Sequence, residues 1–187
     1  MGNENISEII KHCVKWYTLG IETKICKVEK VMGIRKFHKN SIKFSLEIGA
    51  DLGKIPTDYN FLGVSLKDSG LMCLDIEATP GSLEDFNEIL REKSLRMEDF
   101  FAEGTMNGGF HLYFRVPKGM NYRNMYNKRC KRVNFDVLFN GKSFSAPSKY
   151  DNRTYCFINK TVFDLNSIMD IPEFPNELYF LLQIEDK

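Results

Sequence analysis

Long apolar runs are the first thing missing from this chain of 187 residues. No stretch approaches the roughly 20 residues that a membrane-crossing helix needs. The polar opening from Met1 to Glu8 also lacks the apolar core of a signal peptide. The expectation is a soluble, intracellular protein. Paired cysteines are missing too: Cys13, Cys26, Cys73, Cys130 and Cys156 are odd in number and scattered, with no Cys-x-x-Cys pair. Neither a disulfide framework nor a structural zinc is expected. Proline and glycine, at 6 and 13, are too few for collagen-like or low-complexity sequence. With 43% hydrophobic and 27% charged residues the composition is globular, which excludes wholesale disorder. Net charge is nearly absent: 26 Lys+Arg against 25 Asp+Glu leave +1, at first sight a poor balance for a partner of nucleic acid.

The distribution of charge reverses that impression. Residues 24 to 43 carry seven basic side chains and one acid, and residues 115 to 132 carry seven basic side chains and no acid. These segments hold +6 and +7, so the remainder sums to −12. Arg123, Lys128, Arg129, Lys131 and Arg132 in the second segment, with Lys36 and Lys39 in the first, are candidates for phosphate contacts. Phe37, Tyr122 and Tyr126 stand among them and could stack on bases or pack in the core.

Periodicity sets the frame. Apolar residues at spacings of three and four from Asn5 to Leu19 predict an amphipathic helix ended by Gly20. Residues 24 to 43 alternate loosely and predict short strands or extended loop. Asn60–Leu66 and Leu71–Ile76 read as strands joined by Lys67-Asp68-Ser69-Gly70, which predicts a hairpin. Ser82 is placed to cap a helix to about Lys93, with Glu84 and Asp85 in its first turn. Phe100–Met106 and Phe110–Val116 predict a second hairpin about Asn107-Gly108-Gly109. Strands follow at Val133–Phe139, Ser143–Ala146 and Thr154–Ile158, then a short helix opened by Asp164 and an apolar helix around Leu178–Ile184. There is no repeat and no linker. The expectation is one α+β unit over residues 1–187 built on antiparallel hairpins: a helical and basic part to residue 57, a core over 58–160, and a helical segment over 161–187.

Two carboxylates interrupt the second strand at its end. Side chains alternate along a strand, so Asp75 and Glu77 project from one face while Leu74 and Ile76 project from the other. Carboxylates so close repel unless a cation lies between them, and a hard divalent ion suits their oxygens. Taken alone, the pair could equally end a strand and meet solvent. Asp136 has a similar setting inside Val133–Leu138, where a charge is costly without compensation. If those two strands are neighbours, three carboxylates converge. The stretch Asn107-Gly108-Gly109-Phe110-His111 adds two glycines that permit close backbone approach and whose amides can point at phosphate oxygens. His111 follows on a strand. Singly, this is a turn and a sheet histidine.

Together the segments resemble the bifunctional DNA primase/polymerase (prim-pol) domain of the archaeo-eukaryotic primase superfamily. The residues that carry the likeness stand in family order: Leu74-Asp75-Ile76-Glu77, then Gly108-Gly109-Phe110-His111-Leu112-Tyr113-Phe114, then Phe135-Asp136-Val137, then Ala146-Pro147-Ser148 with Tyr155 after them. Asn107 and Ala146 stand where the family often has Ser and Pro. The resemblance implies an RRM-like antiparallel β-sheet core flanked by helices, with an N-terminal α/β module. It implies that Asp75, Glu77 and Asp136 are catalytic and hold one or two Mg2+ or Mn2+ ions. It also implies that Asn107, Gly108, Gly109, His111, Ser148 and Lys149 lie on the nucleotide side of the cleft. The partners implied are a single-stranded DNA template, nucleoside triphosphates and a replicative helicase domain or protein. Two rivals share these residues: a metal-dependent nuclease or phosphotransferase, and a non-catalytic nucleic-acid-binding module on an RRM-like sheet. A rolling-circle endonuclease is disfavoured, because His111 has no second histidine beside it.

Overall fold

The computed structural model describes residues 2–31, 34–47, 55, 56, 58–120 and 123–183. Helix α1 spans Gly2–Thr18. The strands are β1 (Thr23–Val31), β2 (Ile34–Lys43), β3 (Phe61–Ser65), β4 (Leu71–Ile76), β5 (Phe101–Gly104), β6 (Phe110–Arg115), β7 (Met125–Cys130), β8 (Val133–Leu138), β9 (Lys142–Ser145), β10 (Lys149–Tyr150), β11 (Arg153–Thr154) and β12 (Cys156–Phe157). Helix α2, Ser82–Glu92, lies between β4 and β5. Three short 3-10 turns follow β12, at Val162–Asp164, Ile168–Asp170 and Asn176–Gln183.

The strands form two larger sheets and one small ribbon. The four-stranded sheet runs β2-β1-β3-β9 and the six-stranded sheet runs β12-β5-β6-β4-β8-β7, all neighbours antiparallel. Strands β10 and β11 pair separately. The chain is therefore α+β with antiparallel sheets, and the central order β5-β6-β4-β8 is that of an RRM-like sheet. The basic stretch over 24–43 is a long two-stranded ladder with a bulge between Cys26 and Val28.

One predicted hairpin does not form. Strands β3 and β4 follow one another through the turn at Asp68 and Gly70, both at positive φ, yet they belong to different sheets. Both strands are covered almost throughout, and both edges of each are already taken: β3 pairs with β1 and β9, and β4 with β6 and β8, which leaves neither an edge for the other.

Two apolar layers sandwich the six-stranded sheet. Between it and the four-stranded sheet lie Ile6, Ile9, Cys13 and Trp16 of α1, with Cys73, Phe101 and Tyr113. On the opposite face Leu74, Ile76, Leu112 and Phe114 meet Phe86, Ile89 and Leu90 of α2 and Phe174, Leu178 and Leu181 of the C-terminal segment. Each large side chain buried this way contributes roughly 1.5–3 kcal/mol. Among the described residues no helix is long and apolar enough to cross a membrane. The C-terminal helix expected around Leu178 is a 3-10 segment, and Asp164 closes its short turn, bonding back to Thr161. At α2 the cap is Gly81, at φ 77°, rather than Ser82. The Ser82 hydroxyl instead donates to the Glu77 carbonyl at 2.8 Å and accepts from the Thr79 amide at 2.9 Å. It thereby holds the loop that carries Glu77.

Candidate active site

Four polar residues stand in one register row across the six-stranded sheet. Glu103 on β5 pairs with His111 on β6, His111 with Asp75 on β4, and Asp75 with Asp136 on β8. Residues directly opposite in antiparallel strands share a face with Cβ atoms about 4.5–5.5 Å apart. The alternation that sends Leu74 and Ile76 into the α2 layer therefore turns Asp75 toward the four-stranded sheet. The two strands that bear Asp75 and Asp136 are neighbours, which was the condition for their carboxylates to meet.

The row changes from dry to wet along its length. Glu103 is fully buried and His111 nearly so, whereas the Asp75 side chain is 33% exposed. His111 Nε2 lies 3.4 Å from Asp75 Oδ2. Its Nδ1 donates to the Phe144 carbonyl on β9 at 2.9 Å, so one ring nitrogen is tied to the second sheet and the other faces the acids. Burial would lower the His111 pKa. The Asp75 hydrogen bond and charge, the Glu103 charge and the Phe144 carbonyl together outweigh it and raise the pKa above the usual histidine value. Burial raises the Asp136 carboxyl, opposed by the Asn127 amide and reinforced by the charge of Asp75. A bulge in β7 between Met125 and Lys128 supplies that amide, which donates to Asp136 Oδ1 at 2.7 Å.

A pocket of about 300 Å³ opens beside the row, lined by Asp75, Ile76, Glu77, Ala78, Thr79, Thr105, Asn107, His111 and Tyr155. The Tyr155 ring leans on His111 with centroids 5.4 Å apart and meets Phe61 edge-on. A larger hollow of about 550 Å³, bordered by Lys24, Lys67 and Lys142, contains no member of the row. Among the described residues no three His, Cys, Asp or Glu side chains are gathered around a single ion position. Two facing carboxylates with a third at the strand end nonetheless fit a hard cation such as Mg2+. That ion is usually held by one or two carboxylates and completes its shell with water and substrate phosphates.

Several expected site residues sit elsewhere. The Gly108 and Gly109 amides do not point into the pocket: they donate to the Thr105 carbonyl and to Thr105 Oγ1, at 2.9 and 3.1 Å. What approaches Gly109 is the chain itself, since a Cβ there would overlap the Ile76 carbonyl oxygen and sit 3.2 Å from the Ala78 nitrogen. Ser148 is fully buried; its hydroxyl donates to the Ser145 carbonyl at 2.5 Å and accepts from the Leu62 amide at 2.9 Å. It joins β9 to β3 and does not line the pocket, and neither does the exposed Lys149. Asn107 and His111 do line it.

The basic candidates divide. Lys131 pairs with Glu88 and Glu92 at 3.3 and 3.0 Å, and Arg132 pairs with Asp85 at 2.6 Å, tying the β7–β8 turn to α2. Lys128 is buried. Arg123 and Arg129 are exposed, as is Tyr126. The side chains of Lys36, Lys39 and Phe37, and all of Tyr122, lie outside the described residues. The residue that the sequence pattern passed over is Glu103. An acid inside the apolar strand Phe101–Gly104 carries the same signal that singled out Asp136.

No curated protein matches the chain. A protein-family model does: the description "Bifunctional DNA primase/polymerase, N-terminal" fits residues 35–177, a span that takes in the whole polar row, the glycine hairpin and the pocket. With most of its length matched in this way, the chain belongs to the Prim-Pol family, whose activity is nucleotidyl transfer of the DNA primase/polymerase type.

Proposed function

We propose that the chain is a template-directed nucleotidyltransferase that synthesises and extends primers on single-stranded DNA from nucleoside triphosphates, as one catalytic unit over residues 1–187. The observation that carries this reading is the register row His111–Asp75–Asp136, of which His111 and Asp75 line a pocket that Glu77 and Asn107 also border. Asp75, Asp136 and Glu77 would hold Mg2+ or Mn2+. When bound, such ions lower the pKa of the attacking 3′-hydroxyl and neutralise charge growing on the departing pyrophosphate.

The chain's own residues supply binding and orientation. His111 is fixed through Nδ1 and presents Nε2 to the pocket, where its charged form donates to phosphate oxygens as pyrophosphate charge develops. Asn107 and Thr105 offer polar groups at the same wall, and Tyr155 offers a flat face for the sugar or base. Gly109 lets the hairpin close on the end of β4, so the histidine strand and the acid strand share one pocket. Ser148 keeps β9, and with it the Phe144 carbonyl, against the rest of the sheet. Exposed Arg123 and Arg129 serve the template phosphates, with Lys36 and Lys39 as further candidates. A replicative helicase is the expected working partner.

The test incubates the protein with single-stranded template, labelled nucleotides and Mg2+ or Mn2+, beside an Asp75→Ala/Glu77→Ala control. Labelled oligomers without an added primer support primase activity, and growth only from a primer supports polymerase activity. Degradation of the template would replace this reading with a nuclease, and tight template binding without either product would leave a binding module.

A further inference from the structure

Glu103 is the one member of the row that no substrate can reach. Its carboxylate is fully buried, yet it is saturated with donors: Ser145 Oγ and the Ala146 amide meet Oε1, the latter at 3.1 Å, and the Tyr113 hydroxyl meets Oε2 at 3.3 Å. Burial raises the Glu103 pKa, opposed by the Ser145 hydrogen bond, the His111 charge and the Ala146 and Tyr113 hydrogen bonds. In the ionised form that these donors favour, the carboxylate can only accept, as an amide N–H can only donate, and that form sets the sense of everything beyond it. Tyr113 spends its single proton on Glu103, so its oxygen must accept from Ser143 Oγ at 2.9 Å. With its proton directed at Tyr113, Ser143 Oγ is left as an acceptor for His111 Nδ1–H at 3.2 Å, its other neighbour being the Cys73 sulfur at 3.5 Å. The Phe144 carbonyl, 2.9 Å from the same nitrogen, accepts only and requires the same Nδ1–H.

We propose that Glu103 is a positioning residue: as an acceptor-only anchor it orients a buried hydrogen-bond chain through Tyr113 and Ser143 that locks His111 with Nδ1–H inward and Nε2 toward the pocket. The functional consequence of this lock rests on the nucleotidyl-transfer reading; the lock itself does not. Replacing Glu103 with Gln preserves size and reverses the chain. The Ala146 amide claims the oxygen of the new side chain, so its NH2 faces Tyr113 as a donor. Tyr113 must then donate to Ser143, whose own proton is left with the Cys73 sulfur at 3.5 Å, a weak acceptor. The order of the chain is no longer set from Glu103, and the ring keeps only the Phe144 carbonyl as a firm partner at Nδ1.

The experiment reads the ring directly. In 15N-labelled wild-type protein, a slowly exchanging Nδ1–H resonance is expected for a histidine, assigned to His111 by its disappearance in His111→Ala. In Glu103→Gln that resonance should vanish or exchange at least about ten-fold faster, and in Tyr113→Phe, which cuts the chain at its middle, it should do the same. Nucleotide incorporation by Glu103→Gln should fall about ten-fold or more, the range typical when a group supporting a functional histidine is removed, while the melting curve stays cooperative. If Glu103→Gln does not fold, Tyr113→Phe decides. An unaltered resonance in a folded variant, or no slow Nδ1–H in the wild type, overturns the proposal. If the wild type incorporates no nucleotide while the resonance behaves as described, the nucleotidyl-transfer reading fails and the positioning role of Glu103 stands.

Discussion

At Gly109 the glycine hairpin passes so near the end of β4 that a side chain would have to displace backbone: the Ile76 carbonyl oxygen and the Ala78 nitrogen are the atoms a Cβ would meet. Gly109→Ala should cost about 1–3 kcal/mol of stability, the range for overpacking a tight site, seen as a lower urea midpoint with an unchanged m-value. An unchanged midpoint would show that the two segments are not in this contact. The carboxylates need a different measurement. Asp136→Asn preserves shape and removes a charge that faces Asp75, so the fold should tolerate it while nucleotide incorporation falls by about 10²-fold or more. At this scale the sequence was informative wherever a residue type contradicted its local pattern. Asp75 and Asp136 stood out as acids in apolar strands, and His111 stood out beside two glycines. Glu103 broke the same pattern and was passed over, because its partners Ser145, Ala146 and Tyr113 come from other strands. Ser148 was placed on the nucleotide side because a motif records which residues recur and says nothing of the direction in which a hydroxyl points.

Among the elements, α2 and the turn between β7 and β8 are joined by charge. The Arg132 guanidinium bonds to both Asp85 oxygens, and the Arg132 amide bonds to one of them as well. These hydrogen bonds hold the Asp85 carboxyl at about 2, below its ordinary 3.8. A depressed acid stabilises the folded state above its unfolded pKa, and that contribution fades as pH falls toward the folded value. Asp85→Asn should therefore melt a few degrees below wild type at pH 7, with the gap closing between pH 4 and pH 2. A gap of constant size across that window would mean the carboxylate's charge is not what joins the elements. The same contact explains why a local count of basic residues overstates what is offered to DNA: Lys131 and Arg132 already have acidic partners on α2, 39 to 47 residues away in the chain. Helix α1 was legible from periodicity, and the two strands of the glycine hairpin from the turn residues Asn107-Gly108-Gly109 between them. The pairing of β3 was not, since a short polar link looks the same whether the strands beside it join one sheet or two.

For the whole molecule, a near-neutral total conceals segregation: two basic segments, and acids that are divided between structural ion pairs and the polar row. Association with single-stranded DNA should weaken linearly on a logarithmic salt axis, and Arg123→Ala or Arg129→Ala should each reduce the slope by about 0.7, the value for one phosphate contact on a single strand. A slope that neither change alters would remove those arginines from the template path. Sequence order alone had suggested one core of hairpins. The molecule instead sets a four-stranded sheet against a six-stranded one, and the contacts across that junction hold the buried histidine of the row: His111 to Phe144, Tyr113 to Ser143, Glu103 to Ser145. The decisive measurement is primer extension by wild type and Asp136→Asn at equal folded concentration, over a range of Mn2+. Expected is metal-dependent extension by the wild type and a loss of about 10²-fold or more in the variant; extension by the two proteins within a factor of about two would contradict a catalytic site built on the Asp75–Asp136 pair.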